Sequence, residues 1–277
     1  MNRNRSLLLL VMFSLLLCAG CLQEQRPPET PVARHDAMLQ HLTNVTTAIQ
    51  VSLDDLETTV SRAAALLGTT GLTGEDADAV LEIVAGSHPA VTNVITYDTS
   101  GTVLSAEPAR AKTIIGQNLI DYETVVTTLA TEEPGMSDII PLAEGGDGAV
   151  IACPVFSADG TFTGVVSMAF SPYALIRPVM DAEMGLAPST YMVAQRNGVV
   201  LYDPDPGEVG RDTFTDPLFA DFPEIIELAR QYSGNRTGYA TYSFFSTGSG
   251  KVVSKETFWD TAGLHGTEWR VLVIGEV

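Results

Sequence analysis

From His35 to Leu67 the apolar residues Met38, Leu42, Val45, Ile49, Leu56, Val60, Ala63 and Leu67 recur at steps of three, four or seven. No Pro or Gly interrupts them before Gly68. The spacing predicts one amphipathic helix of about nine turns, and residues 35–72 are assigned to it. Its stripe can pack on the rest of the chain or form a coiled-coil seam for a homodimer; the pattern stutters near Ser52. Thr73 through Asp76 resembles a capping box and predicts a second helix through Ala77, Val80, Leu81 and Val84, ending near Gly86.

Beyond Pro89 the period becomes extended. Val94–Tyr97, Asp98-Thr-Ser-Gly101 and Val103–Ser105 predict strand, turn and strand, with Gly101 at positive φ. Asp121–Ala130 predicts a short helix, and Asp138–Leu142, Ala149–Phe156 and Phe162–Phe170 three more strands, the last two joined through Ser157-Ala-Asp-Gly160. The order then repeats. Tyr191–Ala194, Gln195-Arg-Asn-Gly198 and Val199–Tyr202 are again strand, turn and strand; Pro223–Tyr232 is a helix; Gly238–Phe245, Lys251–Trp259 and Trp269–Gly275 are strands. Laying Gly101 on Gly198 also brings Ile115-Gly116 opposite Val209-Gly210. Two copies of one module fit this better than one large domain, at 73–182 and 183–277, with the break around Asp181–Ser189 where Gly185 and Pro188 interrupt both periods. The expected fold class is α+β: a long N-terminal helix, then two antiparallel sheets, each flanked by helices.

The first residues read as an address. Arg3 and Arg5 precede the apolar run Ser6–Leu17, and Ala19-Gly20-Cys21 follows. That is the layout of an export signal, and the run is shorter than the about 20 residues a membrane span needs. Residues 1–21 are therefore taken as a signal peptide, and Leu-Cys-Ala-Gly-Cys21 resembles a lipobox whose last cysteine is lipidated. An uncleaved anchor or simple secretion are the alternatives. Residues 22–34, with the Pro-rich Gln23–Pro31, form a polar spacer. The reading places the body outside the cytoplasm, held at the cell membrane.

The 277 residues carry 34 acidic and 15 basic side chains, a formal net charge of −19. So acidic a chain lacks the clustered Lys and Arg that nucleic-acid phosphates require, which argues against nucleic acid as a partner. At 45% hydrophobic and 18% charged, it can bury a core. Of three cysteines, Cys18 and Cys21 lie in the leader, leaving Cys153 and no internal disulfide framework.

Several segments together resemble the double Cache (PAS-like) extracytoplasmic sensors: the long first helix, Tyr97-Asp-Thr-Ser-Gly-Thr-Val-Leu104 with Ile115-Gly116, and Pro154-Val-Phe-Ser-Ala-Asp-Gly160 running into Gly164-Val-Val-Ser-Met-Ala169. In the second module they are Arg196-Asn-Gly-Val-Val-Leu-Tyr-Asp-Pro204 with Val209-Gly210, and Glu268-Trp-Arg-Val-Leu-Val-Ile274. The resemblance implies two PAS-like modules, with a small ligand between the sheet and covering loops of the membrane-distal first one. The family's amino-acid binders use Arg-x-Trp-Tyr for the carboxylate and a last-strand Asp for the ammonium. Here Asn118-Leu-Ile-Asp-Tyr-Glu123 lacks Arg and Trp, and Ala169 aligns with that Asp, which disfavours an α-amino acid. Family members usually continue through a membrane helix into an output module, whereas this sequence ends at Val277. The expectation is action through a membrane receptor or transporter.

Residue chemistry points away from catalysis. His35, His41, His88 and His265 are scattered without metal-ligand spacing. Gly248-Ser-Gly-Lys251 lacks the leading Gly and the Ser/Thr of a phosphate loop, and Asp203-Pro-Asp-Pro-Gly207 departs from a calcium loop at Gly207 and Phe214. No Gly-x-Ser-x-Gly elbow is present. The expectation is no enzyme, no metal and no cofactor.

For a pocket of few polar groups among apolar walls, the first-module candidates are Tyr97, Asp121, Tyr122, Ser137, Asp138 and Ser167. Between Lys112 and Arg177 there is no Lys or Arg, so a neutral or cationic ligand is favoured. The second module offers Tyr202, Asp203, Tyr239, Tyr242, Lys255 and Trp259; its aromatics at strand spacing are read as sheet packing in preference to a second pocket, with Arg196 and Arg211 paired to nearby acids. The function expected is a membrane-tethered small-molecule sensor; the alternative is an assembly lipoprotein using its modules as protein-interaction surfaces.

Overall fold

The structure, a computed structural model, describes residues 30–183 and 189–277. The signal peptide, Cys21, most of the spacer, and Gly185 and Pro188 of the expected break lie outside the described residues.

Helix α1 runs Pro31–Thr70, starting inside the stretch expected to be spacer. Pro suits a first helical turn, where its missing N–H has no partner to lose, and the Thr30 hydroxyl accepts from the Ala33 N–H at 3.2 Å. Helix α2 is Glu75–Ala85, and Gly74 at φ 92°, rather than Thr73, occupies its N-cap. The backbone there turns left-handed, so no capping box forms.

The first sheet comprises β1 (Val91–Asp98), β2 (Val103–Glu107), β3 (Gly135–Met136), β4 (Ile140–Pro141), β5 (Asp147–Phe156) and β6 (Phe162–Phe170), in the antiparallel order β2-β1-β6-β5-β3, with β4 also on β5. Helix α3 (Glu123–Thr131) lies between β2 and β3. Helix α4 (Pro172–Glu183) leads toward the second sheet and was not anticipated, because its internal Pro178 breaks the helical pattern. The second sheet holds β7 (Ser189–Gln195), β8 (Val200–Tyr202), β9 (Gly238–Phe245), β10 (Val252–Leu264) and β11 (Thr267–Glu276), in the order β8-β7-β11-β10-β9, with α5 (Pro223–Gly234) before β9. Apart from β4, the two orders are the same.

The likeness extends to single hydrogen bonds. Gly116 N–H donates to Val103 O at 2.9 Å and Gly210 N–H to Val200 O at 2.8 Å; Leu119 N–H donates to Gly101 O at 2.9 Å and Thr213 N–H to Gly198 O at 3.0 Å. Gly101 and Gly198 have φ of 83° and 91°, which only glycine adopts without strain, and so hold the same turn in both modules.

One core joins the elements. Leu42, Val45, Ile49, Leu53, Val60 and Leu67 of α1 are buried with Ile151, Val166 and Met168 of the first sheet and Val193, Val271 and Val273 of the second. The stripe that offered a dimer seam is thus spent within the chain. Strand alternation gives each sheet a second face. Val94 faces the shared core while Ile95 and Tyr97 face a separate one; Val271 and Val273 do the same against Leu272 and Ile274. Those outer faces are cups, closed in the first module by residues 109–125 and in the second by residues 203–232.

Polar ties fix the modules to α1 and to each other. Gln50 Nε2 donates to Gly263 O at 3.1 Å while Gln50 Oε1 accepts from Gly263 N–H at 2.9 Å. Ile139 N–H donates to Gln195 Oε1 at 2.7 Å, and the Thr267 hydroxyl donates to Met136 O at 2.6 Å.

Candidate functional site

Alternate residues of β1 (Asn93, Ile95, Tyr97), Ser167 and Ala169 of β6, and Ala152 of β5 floor the first cup; Leu119, Tyr122 and Val125 cover it, and Ile140 to Glu144 close one side. Ser167 stands opposite Ile95 and Ala152 across its two neighbouring strands. The space left is small, about 50 Å³. The Glu144 carboxylate on its rim accepts from Asn93 Nδ2, and the Tyr97 hydroxyl is buried without a hydrogen bond. Burial pushes the Tyr97 phenol well above its ordinary range, and Cys153 adds to the shift.

Of the six residues the sequence proposed here, Tyr97, Tyr122 and Ser167 line this cup. The other three do not. Asp121 is exposed in the turn before α3, whose N-cap is Tyr122. Ser137 spends its hydroxyl accepting the Val150 N–H at 3.0 Å. Asp138 points to the module junction, where Asn197 Nδ2 donates to it at 3.3 Å. The strand expected at Asp138–Leu142 is confined to Ile140–Pro141, and residues 137 and 138 precede it.

The second cup is far roomier, with a cavity of about 340 Å³. Met192, Leu228, Phe219 and Phe244 give it apolar walls; Asp203, Glu208, Tyr242 and Lys255 stand around its polar end. Asp203 Oδ1 accepts the Asp205 N–H at 2.8 Å, and Asp205 Oδ1 the Gly207 N–H at 2.9 Å, so the run once compared with a calcium loop is a pair of side-chain-capped turns. Burial lifts Asp203 to about 6 and Glu208 to about 7, and the neighbouring acids push the same way. Burial lowers Lys255, against the pull of Asp203 and Glu208. Among the described residues no group of His, Cys, Asp and Glu could hold a metal ion.

Residues 51–172 match the family model described as "HK/GC/Chemotaxis protein-like, sensor domain". Among solved structures, the extracellular ligand binding receptor from Desulfohalobium retbaense DSM5692 superposes with a TM-score of 0.72 at 27% identity, over 86% of this chain. The chain spans 40% of that receptor's length. The ligand-binding domain of the Pseudomonas aeruginosa PAO1 amino acid chemoreceptor PctB in complex with L-Gln gives 0.61 at 15% identity, covering 87% of this chain and 90% of that one. The chain has the double-Cache type of fold, and its residues 51–172 are similar to that sensor-domain family. The ligand-binding domain of the Pseudomonas fluorescens chemoreceptor CtaA in complex with L-serine also superposes, at 0.60 and 15% identity over 87% of this chain and 96% of that one. No curated protein sequence matches. No described helix is long and apolar enough to cross a membrane.

Of the second-module candidates, Asp203, Tyr242 and Lys255 line the larger cavity, so the pocket that was the lesser alternative to sheet packing is present. Trp259 and Tyr239 do pack as expected: Trp259 donates to Asn235 O at 3.0 Å, and Tyr239 lies 4.7 Å from the Phe258 ring centre. Tyr202 stacks on Tyr173 at 5.8 Å. Arg211 pairs with Asp216 at 2.9 Å, whereas Arg196 donates to a carbonyl, Ser233 O, at 3.3 Å. Glu208 and Phe244 were not among the candidates; Glu208 lies in a loop over the sheet, where no periodicity assigns a face.

Proposed function

We propose that this double-Cache domain is an extracytoplasmic small-molecule sensor, held at the membrane by its N-terminal segment through lipidated Cys21 and signalling to a partner protein. It carries out no chemistry on its ligand. The observation that supports this reading is the second-module cavity of about 340 Å³, within the about 300–1,000 Å³ of ordinary small-molecule sites, with mostly apolar walls and a few converging polar groups. The first cup, where the sequence places the ligand, offers much less space, about 50 Å³.

A thermal-shift screen of metabolites against wild type and Met192→Trp tests it. Met192 is a half-buried wall residue, so the indole occupies the cavity while the unliganded variant's melting temperature shows whether the fold survives. A ligand at 100 times its Kd adds about 2.7 kcal/mol of stability to wild type, and the variant loses that gain. A broad library that shifts nothing, together with specific capture of a membrane protein, overturns the sensor reading in favour of an assembly role. Cys21→Ser releases the protein from the membrane fraction if the anchor is as proposed.

A further inference from the structure

The charges around the second cavity do not balance. Residues 203–211 bring three carboxylates to its edge, Asp203, Asp205 and Glu208. Of the cations, Arg211 is already committed: its Nη1 reaches both Asp216 oxygens at 2.9 Å and its Nε donates to Gly207 O. The Lys255 side chain, in a residue only 6% exposed, makes no hydrogen bond or ion pair among the described residues and sits 5.9 Å from the Phe244 ring centre. The Glu208 side chain likewise has no hydrogen-bond or ion-pair partner among the described residues. One ammonium thus faces three acids across a space that leads down to apolar walls. A partly buried carboxylate without a cation is costly to ionise. A guest that brings positive charge to this end and an apolar body to the other removes that cost, whereas a carboxylate guest adds to it.

Resting on the reading of this cavity as the ligand site, we infer that it takes a small amine with an apolar body, the ammonium lodged between Asp203 and Glu208 and the body against Met192, Leu228 and Phe244. Raised carboxyl pKa values of about 6 and about 7 fit this arrangement. Binding the cation drives both acids to their ionised forms, so protons leave as the amine enters. The ionisable groups facing these acids are Asp205 and Arg211 on the same loop, Tyr232 on α5, Tyr242 on β9 and Lys255 on β10. Burial holds both tyrosines above their ordinary range, outside the neutral window.

The experiment is calorimetry on the purified chain with 2-phenylethylamine, its uncharged analogue 2-phenylethanol and the anion 3-phenylpropionate, in two buffers of different ionisation enthalpy. The amine should bind at least tenfold more tightly than either analogue. Its affinity should rise between pH 5.5 and 7.5, with up to about one proton released per amine near pH 6.5. Glu208→Gln should cut the affinity about tenfold or more and reduce the proton release, while Tyr97→Phe in the first cup leaves both unchanged. Equal binding of amine and alcohol, preference for the anion, or an unaltered Glu208→Gln overturns the inference. If the metabolite screen finds some other ligand whose binding Met192→Trp removes, the amine assignment falls while the cavity reading stands; if nothing binds there, both fall.

Discussion

Asp203 and Glu208 carry a stability signature that can be read without any ligand. Both carboxyls are raised by burial, so between about pH 4 and pH 7 the folded chain holds more protons than the unfolded one. Their contribution to stability is therefore greatest below their unfolded values and declines as pH rises through the folded ones. The double variant Asp203→Asn, Glu208→Gln should match wild type near pH 4 and exceed it in melting temperature by a margin that widens toward pH 8. A constant margin would show that the acids are not desolvated. At this scale the sequence was a fair guide to what lines a sheet and a poor one to what covers it. Tyr97 and Ser167 sit on strands whose period assigns their face, and both line the first cup. Asp138 falls just outside the short strand Ile140–Pro141, and Glu208 lies in a loop, so no spacing rule could place either.

Among the elements, α1 shows how closely a helix can approach a sheet. A Cβ on Gly68 would stand 2.2 Å from the Phe156 carbonyl oxygen, a backbone atom that cannot swing aside. Gly68→Ala therefore sets two effects against each other: helix propensity gains about 1 kcal/mol, and the overlap costs about 1–3 kcal/mol. The expected result of urea unfolding is net destabilisation. A more stable variant would mean that the last turn of α1 is not held against β5. The periodic apolar stripe of α1 was legible almost residue by residue, because one buried face imposes one period. α4 was not, since Pro178 interrupts the pattern while the helix continues past it. The start of α2 was misread for a related reason: a glycine in left-handed backbone replaced the expected side-chain cap.

For the whole molecule, the repeated sheet order was readable from matching turns, whereas the attachment of both modules to one helix rests on contacts between residues far apart in sequence. The paired bonds of Gln50 to Gly263 are the most specific of these. Gln50→Leu removes both and leaves the Gly263 amide and carbonyl seeking partners. It should lower stability by about 1–3 kcal/mol and raise amide hydrogen exchange along the far end of β10 more than in the first sheet. Uniform change across both modules would refute a local tie. The strand alternation described above has one more consequence. In β11 the wall between cavity and helix is a single peptide unit thick: Ile274 lines the cavity, and Val273, its neighbour in the chain, lies in the core shared with α1. The sheet is in that sense a diaphragm, and pressure on its outer skin has no intervening layer in which to dissipate.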